Sequence, residues 1–144
     1  MTARERAIEA SNDTDVKRIA RQLVHSADVV SGVVGERLDG SLDDLGRLQR
    51  VLDSRSVDPS ATYTLHSLGL SFGIVFIENN PGFDWWMVHD EYGRDPVIRW
   101  ERTSLLVCPM TMISKRVEDG VDVDIAELYE LLGEELERAQ QECS

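Results

Sequence analysis

A chain of 144 residues is the size of one domain, because two halves would each be too small to bury a comfortable core. Its hydrophobic share of 42% and charged share of 29% are ordinary for a globular protein and exclude wholesale disorder, and no apolar run approaches the roughly 20 residues of a membrane helix. The 15 Lys and Arg residues against 27 Asp and Glu leave a formal net charge of −12, which repels phosphate backbones and anionic bilayers and so argues against nucleic-acid and membrane partners.

Residues 1–12 are charged, lack a helix start signal and have no secretory-type apolar stretch. They are expected to be a flexible segment of a cytoplasmic protein, ahead of a single α+β domain over residues 13–140. Asp13-Thr-Asp15 offers an N-cap, and Val16, Ile19, Ala20, Leu23, Val24, Ala27, Val30 and Val34 follow at helical spacing, predicting a first helix that ends near Gly35. Ser41 with Asp44 resembles a capping box for a second helix through Leu45, Leu48, Val51 and Leu52, ending near Ser54. Asp58 and Pro59 are read as the cap and first position of a third. Residues 61–79 fit both a period of 3.6 and a period of two, and their length favours helix. Gly69 and Gly73, one turn apart, would give that helix a flat stripe for close packing.

Asn79-Asn-Pro-Gly82 is a turn, after which the period becomes two. Residues 83–89, 97–101 and 103–108 read as three strands, the first two joined by the loop 90–95 with Gly93 at positive φ. Pro109 opens a short helix closed at Gly120, and Asp122 or Asp124 caps a last helix with Ile125, Leu128, Tyr129, Leu132 and Leu136 on its apolar side. The predicted order is α-α-α-β-β-β-α-α: a small three-stranded antiparallel sheet with helices packed on one side.

Strand alternation places Trp85, Met87 and His89 together, and with Arg99 they compose a candidate binding face if the helices leave that side open; core tryptophans are the plainer reading. Arg94 sits at the hairpin loop, where a surface pair with Asp90 or Asp95 is the simple expectation. Lys115 and Arg116 precede the acidic segment and are expected to pair with it. That segment, residues 117–144, holds ten Asp and Glu and one Arg, so it carries −9 of the −12. Glu127, Glu130, Glu134 and Glu135 are its candidate docking surface for a basic partner, the alternative being a merely solvated face. His25, His66 and His89 lack ligand spacing, the two cysteines lack a CxxC partner, and no nucleotide or hydrolase motif occurs. No catalytic residue, metal or cofactor is therefore assigned.

Three stretches together, Leu65-His-Ser-Leu-Gly-Leu-Ser-Phe-Gly73, Phe83-Asp-Trp-Trp-Met-Val-His-Asp-Glu-Tyr-Gly93 and Cys108-Pro-Met-Thr-Met-Ile-Ser-Lys-Arg116, resemble a bacterial family of domains of unknown function, number 3806, over about residues 45–135. The resemblance implies bacterial origin and an intact domain, and singles out Arg94, Lys115 and Arg116; it assigns no activity. The leading expectation is a non-catalytic interaction module, of the immunity-inhibitor type or a secretion-chaperone-like homodimer. The rival is a small-molecule binder or enzyme in which His89, Arg94, Arg99 and Arg116 converge on an anion.

Overall fold

A computed structural model describes residues 7–91, 93–103 and 105–143, with side chains through residue 138. Helix α1 (Asp13–Val34) starts one residue earlier in its capping than the sequence suggested: Asn12 is the N-cap. Its side-chain oxygen accepts from the Asp15 N–H at 2.8 Å, and the Asp15 carboxylate accepts from the Asn12 N–H at 2.9 Å. Helix α2 (Asp43–Asp53) has no side-chain cap from Ser41. The Asp44 carboxylate turns back instead, accepting from the N–H groups of Asp39 and Gly40 and from the Arg47 guanidinium. Asp58 likewise closes a turn on Ser60 rather than capping a helix, and α3 begins at Thr62.

Helix α3 (Thr62–Asn79) is the central element, buried from Leu65 to Phe76 except for two half-buried positions, His66 and Ile74. Burial on all sides explains why its residues satisfy both periods: a helix surrounded by neighbours shows no polar face. Gly69 and Gly73 admit the chain at Pro109 and Met110, which form a 3-10 turn (Pro109–Thr111). A Cβ on Gly69 would lie 2.5 Å from the Pro109 carbonyl oxygen, and one on Gly73 would lie 2.7 Å from Cη2 of Trp85. The expected close-packing stripe is thus present.

The sheet has four antiparallel strands in the order β1 (Ala7–Glu9), β2 (Phe83–Asp90), β3 (Gly93–Trp100) and β4 (Leu106–Val107). The α+β class holds; the strand count rises from three to four because Ala7–Glu9, inside the segment expected to be flexible, pairs with Val88 and its neighbours. The β2–β3 hairpin is also tighter than the predicted loop 90–95. Asp90 pairs with Gly93, which takes φ 130°, so Arg94, Asp95 and Pro96 belong to the strand. Helices α4 (Met112–Glu118) and α5 (Ile125–Cys143) complete the chain. One core unites Val30 of α1, Leu48 and Val51 of α2, Leu65, Leu68, Phe72 and Phe76 of α3, Ile98 of β3, Ile113 of α4, and Ile125, Leu128, Leu132 and Leu136 of α5. Phe76 meets the Phe83 ring edge-on at 5.0 Å, and Phe72 meets Tyr129 at 6.1 Å, tying sheet and α5 to α3. Among the described residues no helix is long and apolar enough to cross a membrane.

Candidate functional site

The hairpin register decides which candidate residues meet. Trp85 pairs with Ile98 and Met87 with Pro96, and this face packs on α3: Met87 is fully buried and Trp85 half-buried. The Trp85 Nε1 is buried with no partner among the described residues. Arg99 pairs with Asp84 and so belongs to the opposite face with Trp86, not with Trp85, Met87 and His89 as predicted. The error is one of parity: cross-strand partners share a face, and odd-numbered residues of β2 pair with even-numbered residues of β3, as they would also across a loop of 90–95. On that outer face the Arg99 guanidinium lies 4.4 Å from the centre of the Trp86 ring and donates to the carbonyls of Thr103 and Arg102 at 2.6 and 2.9 Å. Nε and Nη2 are thus spent on local backbone.

Arg94 faces the other way and is equally committed. Its Nε and Nη2 donate to the Asp15 carboxylate at 3.0 and 2.7 Å, and Nη1 pairs with Glu9. These partners replace the expected Asp90 or Asp95; Asp95 instead receives Arg18 at 3.2 Å. Asp15 is only 4% exposed. The Arg94 hydrogen bonds hold its carboxyl below the ordinary aspartate value, against the opposing pull of burial, with the Asn12 N–H adding to the effect. The same contacts raise the Arg94 pKa. Nothing in sequence spacing indicates this cluster, although the Asn12–Asp15 box that orients Asp15 was there to be read.

His89 is exposed on β2 opposite Arg94. Arg116 donates to the Met112 carbonyl at 3.0 Å within α4, and Lys115 is exposed. Neither forms an ion pair among the described residues, so the expected pairing with the acidic segment is absent. His89 and Arg94 are cross-strand neighbours, whereas Arg99 belongs to the opposite face of the sheet and Arg116 to α4, so the four do not converge. Burial pushes the His66 imidazole below its ordinary value, and His25 shares a 2.8 Å hydrogen bond with Thr64 Oγ1. Among the described residues no three His, Cys, Asp or Glu side chains gather where they could hold a metal ion.

The acidic helix is organised differently. Asp124 caps α5, its Oδ1 accepting from the Glu127 N–H at 3.1 Å. Ile125, Leu128, Leu132 and Leu136 point into the core, which at 100° per residue turns Glu127, Glu130, Glu134 and Glu135 outward around Leu131. Leu131 is 49% exposed at the centre of this face. None of the four glutamates has an ion-pair partner among the described residues. The carboxylates near α2 show the contrast: Glu36 is held by Arg50 and Arg47 at 3.0 Å each, which keeps its pKa below the ordinary value, and Asp39 and Asp44 also bind Arg47.

No protein with a curated description matches the chain. A crystal structure from Bacteroides thetaiotaomicron, at 1.50 Å resolution, superposes with a TM-score of 0.80 and 19% sequence identity over 87% of this chain. The chain spans 46% of that protein's length, and the likeness is one of fold. The model of a domain of unknown function, DUF3806, matches residues 44–129, from the first turn of α2 to the second turn of α5. That match takes in all three stretches that carried the resemblance and more than half of the chain, and the protein belongs to the DUF3806 family.

Proposed function

We propose that this protein is a non-catalytic docking module of the cytoplasm whose α5 face binds a basic protein partner. The observation that carries the reading is the row Glu127, Glu130, Glu134 and Glu135, exposed around Leu131 and without ion pairs among the described residues, while carboxylates near α2 are neutralised by arginines. An unpaired row of one sign steers a complementary surface towards it, and an apolar residue at its centre supplies contact area once water leaves. Masking the cationic site of another protein, as an immunity-type inhibitor does, is the use this chemistry suits.

A second reading has its own support. Helix α1 buries Asp15, Gln22 and Ser26 while leaving Val16 and Val24 exposed at 55% and 60%, with Ala20 exposed between them. An apolar ridge at i, i+4 and i+8 on the solvent side suits a chaperone-like homodimer. Capture of proteins from the source lysate on the immobilised chain, at low and high salt, tests the first reading. One basic protein is expected to be retained at low salt, released at high salt, and absent when Glu127, Glu130 and Glu134 are changed to lysine. Retention by that variant would overturn it. Sedimentation of the purified chain weighs the second: a mass of two chains, reduced to one by Val24→Asp, is the outcome it requires.

A further inference from the structure

Between the second half of α2 and the segment entering α5 runs a groove. Its deeper part, about 530 Å³, has an apolar floor of Leu52, Val57 and Leu65 and a rim that includes the 55% exposed Val121. A second hollow of about 350 Å³ lies beside Leu45 and Gly46, and Val123 lines both. These volumes are in the range of pockets that seat organic groups. Gln49 of α2 ties the two walls to each other: its amide donates to the Val123 carbonyl at 2.9 Å and accepts from the Ile125 N–H at 2.7 Å. At 1.5 Å per residue the α2 wall from Leu45 to Asp53 is about 12 Å long, room for roughly three or four residues of extended chain.

Charge along the groove is uneven. Asp53 and Asp122 line the deep part, and Asp124 and Glu127 stand where it reaches α5. Arg55 lies at the opposite end, exposed, with no ion-pair partner among the described residues and with φ 57°, a left-handed conformation that glycine would adopt without strain. We propose that this groove is the anchoring subsite of the docking surface, and that it takes an extended basic and aliphatic segment of the partner. Aliphatic side chains fill the cavity over Leu52, Val57 and Leu65. Lysines or arginines lie towards Asp124 and Glu127, and Arg55 repels them from its end and so sets the direction of the segment. The inference rests on the reading of α5 as a docking face and adds the apolar half of the recognition.

The test is fluorescence anisotropy of a labelled synthetic peptide of lysines followed by leucines, titrated with the full chain. Saturable binding is expected, weakened about tenfold when the leucines become alanines and similarly by Val121→Asp, whose exposed position keeps the core intact. Glu127→Lys should weaken it to a comparable degree, and Arg55→Glu should tighten it. Circular dichroism of each variant checks that the fold persists. Equal binding of the leucine and alanine peptides, unaffected by Val121→Asp, would overturn the groove while leaving the acidic face standing. Absence of any peptide binding to the folded chain would also overturn the groove, and lysate capture then judges the acidic face separately. Unchanged affinity in Arg55→Glu would overturn the assigned direction.

Discussion

The guanidinium of Arg94 gathers a carboxylate from α1, another from β1 and its own strand at one point, and Asp15 is the most buried of those partners. Asp15 also completes the capping box on Asn12, so Asp15→Ala removes two roles together. The expected loss is about 2–3 kcal/mol of unfolding free energy, read from urea denaturation. Acid should reproduce part of that loss. Because the native pKa of Asp15 is depressed, the unfolded chain takes up the proton first as pH falls. The stabilisation is complete above about pH 4, the ordinary aspartate value, and disappears as pH drops through the lower native one. Below pH 4 the stability curve of Asp15→Ala should accordingly be flatter than that of the parent; parallel curves would deny Asp15 this role. The cap half of the arrangement was legible, since Asn12 and Asp15 stand three residues apart. The Arg94 half was not: its partners are 79 and 85 residues away, and charge pairing over that distance leaves no local pattern.

Element boundaries were easier to read than element partners. Helix ends at Gly35, Ser54 and the Asn79–Gly82 turn follow from local chemistry, and the structure places them there. The register of β3 against β2 depends on how many residues the turn consumes, which the sequence around Gly93 left open; the face of Arg99 depends only on the parity of the pairing, which alternation within each strand taken separately does not supply. The acidic face of α5 was legible because a core-facing stripe of Leu128, Leu132 and Leu136 fixes the opposite side by geometry alone. The groove beside it was not, since its walls come from α2 and from the loop before α5. Packing of α3 on the Pro109–Thr111 turn gives an element-level prediction. In an open helix Gly69→Ala would gain about 1 kcal/mol of helix propensity. Here the added methyl meets the Pro109 and Met110 carbonyl oxygens at 2.5 and 2.7 Å, backbone that cannot swing aside. A net loss of about 1–3 kcal/mol is expected, measured as a lowered urea midpoint. An unchanged or raised midpoint would mean that the turn yields more easily than its contacts imply.

Across the whole molecule, charge is sorted by position: the residues before 117 sum to −3 and those from 117 onward to −9, adding to the −12 of the chain. The acidic end is therefore a directional feature, and an approaching cation meets a stronger field at α5 than elsewhere. The sheet presents a different kind of exposure. Its eight-residue strand β2 carries Trp85, Trp86, Met87 and Val88, and on one side three residues of β1 pair with its second half, at Met87, Val88 and His89. Those three residues act as a guard strip. A chain trimmed to begin at α1 keeps the helices but bares the edge at Met87–His89 and so lengthens the open edge of an aromatic strand, which is a template for pairing with its own copies. Such a chain is expected to form sheet-rich aggregates on warming, detected by light scattering and thioflavin fluorescence, whereas the parent stays dispersed. The shortest strand in contact with β2 would then be what keeps concentrated solutions of this protein free of cross-chain sheet.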